Sequence, residues 1–295
     1  MKMINKLRLL WGFLCIFIVV PGTSQTQPEA YRLYDGKGRV VDYDQLVKTI
    51  AKVDVVFIGE IHNCAITHWL ELKLLDSLYK IHGKKLKVGM EMFESDNQLV
   101  LDEYLHGQIT GDRFEEEMRL WPNYSTDYAS LISYARDHNI PIVATNIPRR
   151  YATAVKEHGL SYLDSFSMEA KAYMAPLPIH FQTNESVEQG FVLMGLMGKN
   201  KNVNSRQIAE AQAIKDATMA WRIAKNLQEK FIHFNGNFHT DNHEGIIPYL
   251  LQYKPETTYM VVRAVRQENI LRLEDEYKGI ADFYICVPED MTTSY

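Results

Sequence analysis

Cysteine is scarce in this chain: 295 residues carry only three, at positions 15, 64 and 286. So few exclude a disulfide framework as the source of stability. Cys64 and Cys286 read as separate buried thiols, with a single bridge allowed only in an oxidising compartment. Excess positive charge is also lacking. The formal net charge is −5, which removes the electrostatic footprint expected of a nucleic-acid partner. Low-complexity tracts are missing, and so is any apolar run of membrane-spanning length. The clearest apolar run, Leu9 to Val20, has 12 residues, short of the ~20 that a bilayer needs. What remains is 46% hydrophobic and 23% charged, an ordinary globular balance that is ample for one large core.

The first segment reads as an address. Lys2, Lys6 and Arg8 precede the apolar run, and Pro21-Gly22-Thr23-Ser24-Gln25 follows it. A basic start, a short apolar stretch and small residues near Ser24 define a secretory signal peptide over 1–25. The remaining 26–295 form one domain of an exported protein, in the periplasm or cell envelope. Cleavage removes three basic residues and no acidic one, which takes the net charge from −5 to −8. Leu14 stands before Cys15, where a lipid anchor calls for a small residue, so lipidation is not expected.

The organising stretch is Val55-Val56-Phe57-Ile58-Gly59-Glu60-Ile61-His62-Asn63. Its apolar run reads as a buried strand that turns at Gly59 into a helical pattern. Phe231-Ile232-His233-Phe234-Asn235-Gly236-Asn237-Phe238-His239 repeats the device. Further strands are expected at 86–91, 141–145, 259–265 and 283–287, and a small hairpin at 31–41 turned at Asp35-Gly36. Helices are expected at 43–52, 64–82, 95–107, 110–121, 126–138, 148–159 and 204–229. Residues 160–202, with Pro176, Pro178 and several methionines, read as a helical insertion over the strand ends. Strands alternating with helices predict an α/β fold, a mostly parallel central sheet of about six strands with helices on both faces.

Ligands of open α/β sheets bind beyond the carboxyl ends of the strands. Those ends offer Glu60 and His62, then Glu91, then Asn146 and Arg149, then His239. Two imidazoles with one or two carboxylates suffice for a divalent metal ion, so His62, His239, Glu60 and Glu91 are the candidate ligands. Such an ion activates water, with Glu60 or Glu91 as base. Arg149 either grips a carboxylate or phosphate or neutralises Glu60 or Glu91. Asp241, His243, His68 and Cys64 are weaker candidates. An accessible tyrosine among the 17 can ligate ferric haem.

These residues carry a resemblance. Gly59-Glu60-Ile61-His62, Gly89-Met90-Glu91-Met92-Phe93, the Trp121 segment, Thr145 to Arg149, Ala211 to Ala220 and Gly236 to His239 occur in order. Together they resemble the ChaN-like haem-binding uptake family over roughly 40–265. That family lies in a superfamily with Tiki proteases, TraB-type proteins and erythromycin esterases. The resemblance implies an exported protein of iron and haem acquisition, binding haem through tyrosine as a homodimer with stacked haems, with an outer-membrane haem receptor as a further partner. Tyr124, Tyr151 and Tyr173 are the candidate haem ligands. It also implies a site at Glu60, His62, Glu91, Arg149 and His239. If the protein is an enzyme, Glu60, Glu91 and Arg149 are the catalytic residues of a metal-dependent hydrolase of peptidase or esterase type.

Overall fold

The computed structural model describes residues 28–181 and 204–294. The expected signal peptide and residues 182–202 of the expected insertion lie outside them. Seven strands form one sheet in the order β1-β7-β6-β2-β5-β3-β4. They are β1 (Arg32–Asp35), β2 (Val55–Glu60), β3 (Leu86–Glu94), β4 (Ile142–Asn146), β5 (Lys230–Gly236), β6 (Tyr259–Gln267) and β7 (Phe283–Pro288). All neighbours run parallel except β1, which lies antiparallel on β7.

The expected six strands become seven for a local reason. The first arm of the 31–41 hairpin joins the main sheet, while its second arm keeps only the bridge between Tyr34 and Val40. The Asp35 carboxylate accepts from the backbone N–H of Lys37 and of Arg39. That holds the tight turn and frees the arm to pair with β7.

The central strands are apolar without alternation because both faces are covered. Every residue of β2 is buried, and so is every residue of β5. One face carries α1 (Tyr43–Ile50), α2 (Ala65–His82), α3 (Gln98–Leu105), α4 (Gly111–Glu117) and α5 (Ala129–Asp137), around a core that includes Leu46, Leu70, Leu74, Leu78, Leu101 and Phe114. The other face carries α6 (Arg149–His158), α8 (Ser205–Asn226) and α9 (Ile246–Tyr253), packed through Val155, Ile214, Met219, Ile223 and Leu250. The single turn α7 (Met168–Lys171) follows α6 on this side. Before α5, Tyr124–Tyr128 winds as a π-helix across the start of the helix expected at 126–138. No helix among the described residues is long and apolar enough to cross a membrane. Cys64 and Cys286 are both buried free thiols.

Packing between β3 and β5 is so close that Gly89 has no room for a side chain. A Cβ there would stand 2.5 Å from Phe231 Cε1 and 2.7 Å from His233 Cδ2. Gly89→Ala is therefore expected to lower stability by about 1–3 kcal/mol through overpacking, read as a lower denaturant midpoint with an unchanged slope. A variant as stable as the wild type would contradict this packing.

Candidate functional site

The order β2-β5-β3-β4 places four carboxyl ends side by side. Glu60 and His62 leave β2, Gly236 and His239 leave β5, Glu91 lies on β3, and Asn146 and Arg149 leave β4. The structure thus brings His62 and His239, 177 positions apart, to neighbouring strand exits.

The centre of the rim is a chain of charges on His239. Its Nδ1 lies 2.5 Å from Asp216 Oδ1 and its Nε2 3.1 Å from Glu91 Oε1. All three residues are buried. Burial alone would lower the pKa of the ring, yet the two carboxylates outweigh it and raise it to about 10. Burial would likewise raise Glu91, but the His239 charge and the backbone N–H of Gly236, donated to Oε2 at 2.8 Å, bring it down to about 2. Asp216 is raised by burial, with His239 opposing. The arrangement is therefore an imidazolium between two carboxylates, each of which accepts from one ring nitrogen.

The His62 ring lies across Gly236. A Cβ on that glycine would stand 2.7 Å from His62 Cε1 and 3.7 Å from Glu91 Oε2. Only a glycine at the end of β5 lets the β2 histidine approach Glu91. His62 Nδ1 pairs with Glu60 Oε1 at 2.6 Å, and the Tyr128 hydroxyl donates to the same oxygen at 2.6 Å. Trp121 stands edge-on to the His62 ring, with centroids 4.9 Å apart. His62 keeps 39% of its side chain exposed. Its pKa is lowered by burial but raised more by the Glu60 carboxylate. Burial and the neighbouring Glu71 push Glu60 up to about 8. A carboxyl poised there, joined to a half-exposed imidazole, can take or give a proton near neutral pH.

The metal set expected from sequence therefore stands as two adjoining pairs, Glu60–His62 and Glu91–His239. Among the described residues, the compact group with ligand atoms all within 4.8 Å of one another is a different one, Glu60, His68 and Glu71. His68, a weak candidate in the sequence, lies with its Nδ1 2.9 Å from Glu71 Oε2. Arg149 meets neither Glu60 nor Glu91. Its Nε is 4.0 Å from Glu94 Oε1, and its side chain is 74% exposed. Arg119 binds Glu94 and Asp96, and Arg150 binds Asp96, along the same edge. Asp241 is taken up by Arg263.

The three tyrosines differ. Tyr124 is buried against Phe114, and burial holds its hydroxyl far above the ordinary phenol range. Tyr151 is buried, with its hydroxyl accepting from Arg150 at 3.1 Å. Tyr173 is partly exposed, and its carbonyl accepts from the Ser95 hydroxyl just beyond β3.

Sequence reasoning passed over Asp216, Glu71 and Tyr128. Asp216 lies among Ile214, Ala217 and Ala220 on the buried side of α8, and Glu71 among Leu70, Leu74 and Leu75 of α2. A carboxylate on an apolar helix stripe requires a partner, and that was the available signal. Tyr128 gave none.

The comparisons agree with this architecture. A family described as haem-binding uptake, Tiki superfamily, ChaN matches residues 46–250. A solved structure of cofacial heme binding to ChaN of Campylobacter jejuni is similar at 18% identity, covering 86% of this chain and 96% of that one with a TM-score of 0.66. The chloroplastic protein RETICULATA-RELATED 5 of Arabidopsis thaliana is 23% identical over 230 residues, 72% of this chain. The chain spans 31% of that relative's length.

The His239 chain fixes a pH dependence. A raised His239 stabilises the fold fully below its unfolded value near 6.5, and this is lost as pH rises through about 10. A lowered Glu91 stabilises above its unfolded value near 4.5, and this is lost as pH falls toward about 2. Between those unfolded values both contributions are complete. Glu91→Gln should cost about 3–5 kcal/mol by leaving charge unpaired and should flatten the acid limb of a denaturant-midpoint profile. An unchanged acid limb would contradict the pairing.

Proposed function

Since the chain belongs to the ChaN haem-binding uptake family of the Tiki superfamily, we propose that it is an exported haem-binding protein of the cell envelope that serves iron acquisition. The observation that carries this reading is the extent of the family match. Residues 46–250 include all four strands of the rim and the residues beyond them.

Residues at the strand ends and in the segment after α6 would fit the group. Haem needs an oxygen ligand for ferric iron, cations for its propionates and apolar surface for its ring. Tyr173 is the accessible phenol of the three candidates. Arg149 projects a largely exposed guanidinium, suited to bidentate carboxylate binding. Met168 and Phe238 are 81% and 48% exposed. When bound, haem supplies a ferric centre that phenolate can ligate. Tyr173 would then orient the ring and Arg149 would hold its acidic edge. A haem face left partly uncovered would favour stacking in a homodimer, and the similar Campylobacter jejuni ChaN structure is described as showing cofacial heme binding. An outer-membrane haem receptor would be the natural donor.

A second reading keeps the Glu60–His62 pair as an acid–base centre of a metal-dependent hydrolase of peptidase or esterase type. It rests on Glu60 being poised at about 8 beside a solvent-reaching imidazole. Ester or peptide turnover with added zinc or manganese, lost in His62→Ala, would support it.

Hemin titrated into the purified chain should give a saturable Soret shift. Tyr173→Phe should change the band position and weaken binding at least about tenfold (1.4 kcal/mol). Tyr124→Phe should leave the spectrum as it is. Arg149→Ala should weaken binding a few-fold with an unchanged band. No saturable binding at micromolar hemin would overturn the haem reading. Export has its own test, because the N-terminus of the protein recovered from the cell envelope should begin next to Ser24 or Gln25. An N-terminus at Met1 would contradict cleavage.

A further inference from the structure

Directly beneath the rim, α2 brings two acceptors under the end of β2. His68 and Glu71 are one helical turn apart, so their side chains share a face. Glu60 reaches them from the sheet, with Oε2 3.6 Å from His68 Nδ1. Glu71 Oε2 lies 2.9 Å from the same nitrogen. All three residues are buried, with Glu71 fully so.

The hydrogen bonding around the group leaves it rich in lone pairs. His68 Nε2 lies 3.2 Å from the carbonyl oxygen of His62, which can only accept. The proton of a neutral ring therefore sits on Nε2, and Nδ1 turns a lone pair toward Glu71 and Glu60. Glu60 Oε2 and Glu71 Oε1 are buried and have no hydrogen-bond partner. In that state two carboxyl groups and one imidazole nitrogen face one another, with no donor but a carboxyl proton between them. Such a group is costly in a protein interior unless something electropositive joins it.

We infer that Glu60, His68 and Glu71 form a site for one divalent transition-metal cation beneath the strand-end rim. Two carboxylates cancel its charge, and the mixed nitrogen and oxygen donors suit zinc, manganese or iron(II). Outer partners are already in place, as such sites need. Tyr128 and His62 both bond Glu60 Oε1. The Asn123 amide donates to the His62 carbonyl that orients His68, and also to Asp127 Oδ2. The site shares Glu60 with the rim but neither Glu91 nor His239, and it does not depend on haem being the ligand above.

Chelator-treated, purified chain titrated calorimetrically with zinc and with manganese tests the assignment. The wild type should bind one equivalent of at least one of these ions and gain thermal stability. Glu71→Gln should weaken binding by more than the roughly 10–100-fold that loss of an outer partner costs. His106→Gln, at an exposed histidine outside the group, should retain it. If the wild type binds neither ion saturably, the acceptors are held by protons and the inference fails. It fails equally if Glu71→Gln binds like the wild type, or if His106→Gln is the variant that loses the ion. Should Glu71→Gln not fold, cobalt(II) added to the wild type decides the position. Paramagnetic shifts of the His68 ring signals support the site, and shifts confined to His62 and His239 overturn it.

Discussion

A buried imidazolium clamped between two carboxylates holds the working edge of this protein together. His239 leaves β5, Glu91 comes from β3 and Asp216 from α8, so one charge chain ties two strands to a helix on one face of the sheet. None of the three tolerates its environment alone. Each ion is stabilised by the others, and removing one member strands the rest in a low-dielectric interior. The chain therefore fixes the exit of β5, and with it the position of Gly236.

The remainder of the rim follows from that exit. Gly236 carries no side chain, so the His62 ring can lie over it and reach toward Glu91. His62 in turn bonds Glu60, and Glu60 is shared between the rim and the pocket lined by His68 and Glu71. The two carboxylates that face the rim have opposite fates because their partners differ. Glu91 meets a cation and a backbone N–H and stays ionised. Glu60 meets burial and a second carboxylate and holds its proton to about 8. An edge with one permanent charge pair, one titrating pair and an exposed arginine at its side suits an acidic, partly apolar ligand. That is the chemistry of the haem reading.

Much of this was legible in the sequence. Uninterrupted apolar runs such as Val55 to Ile58 mark strands covered on both faces, and parallel strands put their carboxyl ends on one edge. Glu60, His62, Glu91 and His239 could therefore be assigned to a common rim. Which of them pair was not legible, because that depends on register and on side-chain reach. Arg149 illustrates the limit, since the turn after β4 carries it outward to Glu94. Asp216 and Glu71 carried a readable signal, an acid on an apolar stripe, whose partners lie far away in sequence. The seventh strand turned on whether one hairpin arm paired with its own return or with β7, a choice made by tertiary contact. Tyr128 bonds Glu60 across 68 positions from within a π-helical turn that no local pattern announces.

The most direct test of the account is the protonation state of His239. Long-range nitrogen–proton correlation spectra of labelled protein at pH 8 separate an imidazolium from either neutral tautomer. The account predicts two similar ring-nitrogen shifts for His239, both of the protonated type, unchanged from pH 6 to pH 8. Two widely split shifts, one of them typical of an unprotonated nitrogen, would mean that the ring is neutral and that the charge chain around Glu91 and Asp216 does not exist.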